Sequence, residues 1–222
     1  DSSNTFLSFI PEYNNQNVDN LSNKINNLNI NPPKNDQCEL KDKEWSEDYE
    51  KTGRIQGGAG AYGKVIKAKN KKTGEERAIK LFDKYSDYFD EEKIKKEINN
   101  AKKVENENSV KIYDQYNSKE EIAIVMELCD NNLSYKLNES KGFGVDEIKK
   151  ILVQLNNTFK IMIDKKIIHR DIKLENILVK DAIVKLSDYG ETKQLSTLYQ
   201  KKNETHAGTR LTMAPEILDD NR

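Results

Sequence analysis

The chain has 222 residues, room for one ordinary domain or for most of a two-lobed one. Charged residues make up 34% and hydrophobic residues 35%, with a mean hydropathy of -0.89, the balance expected where a disordered segment dilutes a normal domain. A formal net charge of -1 supplies no global basic field for nucleic acid or anionic membrane, so neither is expected as a partner. No apolar run approaches the roughly 20 residues that span a bilayer. Lys93, Lys95 and Lys96 are interleaved with Glu91, Glu92 and Glu97 and read as a solvated helix face. Cys38 and Cys129 lack metal-ligand spacing, which speaks against a disulfide framework or a zinc site. It suits an intracellular compartment, cytoplasmic or nuclear.

In chain order, residues 1–45 form an Asn-rich leader closed by Pro32 and Pro33. Asn offers the backbone competing hydrogen bonds and disfavours regular interiors, so the leader is expected to be disordered. From Tyr49, the apolar runs around Ile55, Val65-Ile66 and Ala78-Ile79-Lys80-Leu81 predict three antiparallel strands, with Lys72-Thr73-Gly74 as a turn. Ile94, Ile98 and Ala101 predict an amphipathic helix over 90–104, and two strands follow at 110–113 and 122–128. Ile148, Ile151, Leu152, Leu155, Phe159 and Met162 then describe one long helix with a broad apolar face. Ile177–Val179 and Ile183–Leu186 suit a small hairpin, and an extended loop leads to the start of a helix near Arg222.

Three strings carry chemistry. Gly58-Ala59-Gly60-Ala61-Tyr62-Gly63-Lys64-Val65 is a glycine-rich turn whose main-chain N–H groups can approach phosphate oxygens. Alone it is a weak signal, but a dinucleotide-binding fold wants a helix after such a turn, and here a strand continues. Lys80, one hairpin later, can reach phosphates as a point charge and needs a carboxylate to hold it. Glu97 in the following helix is the best-placed candidate. The third string, His169-Arg170-Asp171-Ile172-Lys173-Leu174-Glu175-Asn176, sits between two apolar segments. Its Asp171 can accept a hydroxyl proton, its Lys173 can meet a transferring phosphate and its Asn176 can bind a metal. Asp188, in Ser187-Asp188-Tyr189-Gly190, offers a second metal ligand at a strand end.

In order and spacing these strings resemble the eukaryotic protein kinase family, over about Tyr49 to Leu218. The resemblance implies an α+β, two-lobed fold: a small antiparallel lobe with one helix over about 49–128, and a mainly helical large lobe beginning at about 130. It implies that Lys80 pairs ATP phosphates and Glu97, that Asp171 is the catalytic base, and that Asn176 and Asp188 hold Mg2+. Lys173 marks serine/threonine rather than tyrosine kinases. Met126 precedes a hinge, Glu127-Leu128-Cys129, whose backbone binds the adenine edge, while Val65, Ala78 and Leu178 sandwich the ring. Gly208-Thr209 and Ala214-Pro215-Glu216 match the end of an activation segment. Gly57, Tyr189 and Thr212 depart from the usual pattern without removing a catalytic group.

The resemblance also implies regulation. Arg170 stands beside the catalytic Asp171, and Thr205 falls where relatives carry an activating phosphothreonine, added by an upstream kinase, that would pair with it. The expected partners are therefore ATP, protein substrates and such an activator. Because the family's large lobe continues past the point that Arg222 occupies, the kinase domain at 49–222 is expected to be incomplete. The 222-residue chain alone is then expected to be unstable or inactive. A pseudokinase or ATP-binding scaffold is the alternative, weakened by the presence of Lys80, Asp171 and Asp188. A small-molecule kinase is disfavoured by Gly208-Thr209 and Ala214-Pro215-Glu216.

Overall fold

The structure, a computed structural model, describes residues 39–60, 63–194 and 209–213, the side chains of 56–60 and 210 excepted. Thr205 and Ala214-Pro215-Glu216 therefore lie outside the described residues, as do Ala61, Tyr62 and the leader up to residue 38. Strands β1 (Tyr49–Gly60), β2 (Gly63–Asn70) and β3 (Glu76–Asp83) are followed by helix α1 (Glu91–Lys103). Strands β4 (Ile112–Asn117) and β5 (Glu121–Glu127) complete an antiparallel sheet in the order β1-β2-β3-β5-β4.

The alternation of β5 explains how this sheet is held. Ile122 and Ile124 turn to one face, where they pack with Phe82 and with Ile94 and Ile98 of α1. Ala123 and Val125 turn to the other, where Tyr49, Ile66, Ile79 and Tyr116 cover them. Each fully buried isoleucine stabilises the lobe by about 1.5–3 kcal/mol relative to exposure. Helix α1 begins because the Asp90 side chain accepts the Lys93 N–H at 3.0 Å, satisfying one of the free amides of its first turn.

Two boundaries differ from the sequence reading. Residues 39–48, assigned mostly to the leader, pack against the sheet. Lys41 forms a parallel bridge with Tyr116, and Trp45–Glu47 make a 3-10 turn whose indole Nε1 donates to Glu121 at 2.6 Å. The strand predicted at 110–113 begins instead at Ile112, because the Val110 N–H is taken by the Leu186 carbonyl at 2.9 Å.

The second lobe contains α2 (Leu133–Ser140), α3 (Val145–Asp164), the hairpin β8 (Ile177–Lys180) and β9 (Ile183–Leu186), and short strands β6 (Asn131–Asn132), β7 (Ile167–Ile168) and β10 (Lys193–Gln194). Helix α2 was not foreseen; it starts at Asn132, whose side chain accepts the Tyr135 N–H. The β8–β9 turn places both Asp181 and Ala182 at positive φ, 49° and 64°, matching the twist of a two-residue hairpin. Leu155 and Met162 of α3 enter a core with Ile167, Ile177, Val179, Val184 and Leu186. Ile148 and Leu152, on the same predicted face, remain 43% and 56% exposed, because the hairpin covers only part of that face. Among the described residues no helix is long and apolar enough to cross a membrane. This is an α+β, two-lobed fold.

Candidate active site

The lobes face each other across a cavity of about 690 Å³ whose walls include Gly63, Lys80, Glu97, Asp171, Lys173 and Asp188. Lys80 sits on β3 between β2 and β5, with Val65 and Ile124 as its register partners. Its Nζ donates to Glu97 Oε1 at 2.7 Å and to Asp188 Oδ1 at 3.1 Å. Burial alone would lower the Lys80 pKa, but the two carboxylates outweigh it and hold the ammonium above its ordinary value. Burial pushes the Glu97 carboxyl up and Lys80 pulls it back. With two carboxylates sharing one ammonium, the protonated Lys80 governs the group.

Two glycines permit the close approaches here. A Cβ at Gly63 would fall 2.7 Å from the Leu81 carbonyl oxygen, so β2 can lie against β3 at that point only without a side chain. A Cβ at Gly190 would meet Glu97 Oε2 at 3.2 Å and Asp188 Oδ1 at 3.4 Å, crowding the ion cluster.

Asp171 is held by its own loop and by one distant residue. Oδ2 accepts from Asn176 Nδ2 at 2.8 Å and lies 2.8 Å from Lys173 Nζ. Oδ1 accepts from the Thr209 hydroxyl at 2.7 Å and its N–H at 3.1 Å. Burial would raise the Asp171 pKa; the hydrogen bonds from Lys173 and Thr209 and the Lys173 charge overcome it, so the carboxyl stays below its usual range. His169 accepts the Asp171 N–H at Nδ1, leaving Nε2 to donate to the Ser187 carbonyl at 3.1 Å. Burial depresses the His169 pKa, consistent with a neutral ring packed 5.2 Å from Tyr189. Arg170 and Asp188 occupy the left-handed region at φ 69° and 61°, on the order of 1–3 kcal/mol of strain each that the surrounding bonds sustain.

Asn176 lies off the cavity wall, its amide spent on Asp171 and its oxygen uncommitted by that bond. Val65, Ala78, Glu127, Cys129 and Leu178 do not line this cavity, although Val65 pairs with Lys80 across β2–β3 and Ala78 with Met126 across β3–β5. Glu127 is engaged within the protein. Its N–H donates to Lys111, and its carboxylate meets Lys180 at 3.2 Å and Lys185 at 3.1 Å. The Cys129 thiol is pushed up to about 12, by burial first and then by Glu127. Gly58, Ala59 and Gly60 belong to β1, and only their backbone is described.

Two residues were missed by sequence reasoning. Thr209 was noted only as part of a segment end, and nothing local announces that it will meet Asp171 across 38 positions. Glu191 was not singled out at all, yet its carboxylate takes the Lys93 ammonium at 2.6 Å, and its carbonyl accepts from Arg170 Nε at 2.6 Å. Lys93 is therefore not a solvated-face lysine: the first turns of α1 lie close enough to the turn at Gly190-Glu191 for the side chain to cross.

A buried strand lysine is clamped by a helix carboxylate, above a loop aspartate flanked by Lys and Asn. The family model of the protein kinase domain matches residues 49–222, and the chain belongs to that family. It is 34% identical over 184 residues to calcium-dependent protein kinase 5 of Plasmodium falciparum (isolate 3D7), covering 81% of this chain and 32% of that protein. It is 34% identical over 177 residues to cyclin-dependent kinase-like 1 of Caenorhabditis elegans, covering 77% and 48%. To serine/threonine-protein kinase pakG of Dictyostelium discoideum it is 37% identical over 164 residues, covering 72% and 14%. The matched region thus spans between about a seventh and a half of these relatives.

Proposed function

We propose that this chain carries the catalytic machinery of a serine/threonine protein kinase, transferring the γ-phosphate of ATP to Ser and Thr hydroxyls of protein substrates. The observation that supports this reading most is the Asp171 carboxylate, ionised and fixed between Lys173, Asn176 and Thr209 on the wall of the cavity that Lys80 enters. In this reading the substrate hydroxyl gives its proton to Asp171 as its oxygen bonds to the γ-phosphorus, and the bond to the β-phosphate oxygen breaks. Lys173 faces the transferring phosphate and Lys80 the α- and β-phosphates, each ammonium offsetting negative charge where water is displaced.

Mg2+ characteristically takes one or two protein oxygens and completes its shell with phosphate and water. Asp188 and the Asn176 side-chain oxygen are the groups that would hold it, and bound Mg2+ neutralises phosphate charge. The Ser/Thr assignment rests on Lys173, bonded to Asp171 and to Thr209 at 3.1 Å, where it can screen a small aliphatic hydroxyl.

The test is phosphoryl transfer by the full-length polypeptide from radiolabelled ATP with Mg2+ to mixed Ser, Thr and Tyr peptides, beside the Asp171→Asn variant. Phosphoserine and phosphothreonine, lost in the variant, are expected. Phosphotyrosine alone would overturn the residue preference. Equal background in both proteins, with nucleotide still bound, would replace the enzyme by a nucleotide-binding scaffold.

A further inference from the structure

Between Gly190 and β10 the chain touches α1 twice. The Glu191 carboxylate holds Lys93 at 2.6 Å, and the Thr192 hydroxyl accepts from Asn100 Nδ2 at 2.7 Å. Lys93 stands one turn before Glu97, so whatever fixes Lys93 also fixes the rotation of α1 that points Glu97 at Lys80. On its other side Glu191 meets the loop that carries Asp171. Its carbonyl accepts from Arg170 Nε at 2.6 Å, and Arg170 Nη2 lies 4.0 Å from Oε2. The next two residues, Lys193–Gln194, pair with β7 (Ile168 and Ile167), directly upstream of His169. One short segment thus joins the helix of the small lobe to the catalytic loop of the large one, with a carboxylate where two cations converge. The Glu191 and Arg170 side chains are only 19% and 21% exposed, so solvent screens this charge less than at an open surface.

We propose that Glu191 is a positioning residue: a built-in anion between Lys93 and Arg170 that keeps α1 turned inward, with Glu97 on Lys80, without waiting for a phosphate on the activation segment. The arrangement holds because losing the carboxylate would remove the ion pair that ties α1 to the segment after Gly190, and α1 could then swing outward. The Lys80–Glu97 bond would then open, although neither residue had changed. Lys80 would keep Asp188 as a partner, so phosphate binding would weaken more than it would vanish.

This inference rests on the kinase reading for its activity readout but carries a second readout that does not. Full-length wild type, Glu191→Gln and the charge-keeping Glu191→Asp variant are compared after phosphatase treatment. Amide exchange over 91–103 is measured first, without nucleotide. Faster exchange in Glu191→Gln, and exchange nearer to wild type in Glu191→Asp, are expected; equal acceleration in both variants would show a merely structural role and overturn the proposal. Peptide phosphorylation is measured next. Treated wild type keeps its rate, while treated Glu191→Gln loses about tenfold in kcat/KM, expressed chiefly in the KM for ATP. Equal exchange and equal rates in treated wild type and Glu191→Gln would overturn the proposal, as would a wild type silenced by phosphatase. If no form transfers phosphate while exchange follows the expected order, the kinase reading falls and the latch stands.

Discussion

At the Lys80 corner of the cavity, Glu97 reaches its partner from a separate helix, and Asp188 arrives from 108 positions away. At the Asp171 corner, Lys173 and Asn176 come from the same short loop, and Thr209 alone is distant. Glu97 is pushed up by burial and hydrogen-bonds one ammonium, that of Lys80, whereas Asp171 is drawn down by several donors at once. A carboxylate held by neighbours in sequence is set once its loop is formed. One held across lobes is set only while the lobes keep their spacing. In the proposed reading the chemistry sits on the locally held corner and its control on the one held across lobes, and Glu191 touches both through Arg170 and Lys93.

The comparison can be broken first at Asp171. Asp171→Asn removes the proton acceptor while keeping the shape that Asn176 and Thr209 hold, so transfer should fall by roughly 10²–10⁴-fold. Nucleotide affinity should change little, as checked by titration calorimetry beside the peptide assay.

Lys80→Met strikes the other corner and leaves Glu97 buried without its cation. The cost should be about 3 kcal/mol, the usual scale for breaking a buried pair from one side. The sign with pH is then fixed. A carboxyl whose folded pKa is raised contributes stability below its unfolded value, and that contribution is lost as pH rises through the folded one. Thermal melts of Lys80→Met should accordingly lose more stability than wild type as pH rises above the ordinary carboxylate range.

Acidification sharpens the contrast. Asp171, lowered in the folded state, contributes stability that is complete above the unfolded carboxylate pKa of about 3.9 and is lost as pH falls through the lowered value. His169, lowered by burial, has the same sign, its loss beginning at about 6.5. Melting temperature should decline on acidification, and Asp171→Asn should flatten the lowest part of that limb.

The smallest effect concerns Tyr189. Its ring is 3% exposed and its hydroxyl has no hydrogen-bond partner among the described residues. Burial accordingly pushes its pKa up. Tyr189→Phe should stabilise the protein by about 1 kcal/mol, read from the denaturant midpoint, because it removes an unsatisfied polar atom and keeps the ring on His169.

Much of the site is legible in the chain because its local rules are strong. Apolar alternation announces β2, β3 and β5, the 94–98–101 spacing announces α1, and residues 169–176 carry their chemistry in order. Local pattern did not mark residues 39–48 as part of the sheet edge, since a few hydrogen bonds from Lys41 and Trp45 leave no periodicity. It also could not show that half of the apolar positions on α3 stay uncovered, because periodicity defines a face and not what meets it.

The sequence by itself marked Lys80, Asp171 and the residues that flank it, through their order and spacing, and the family resemblance those strings carry implied the α+β class. Only the tertiary structure decided that Thr209 braces Asp171, that Lys93 is bound rather than solvated, and that Glu191 stands between α1 and Arg170. Those contacts join residues 38, 98 and 21 positions apart. At such separations it is tertiary packing, within the large lobe for Thr209 and Arg170 and between the lobes for Lys93, that sets which groups meet.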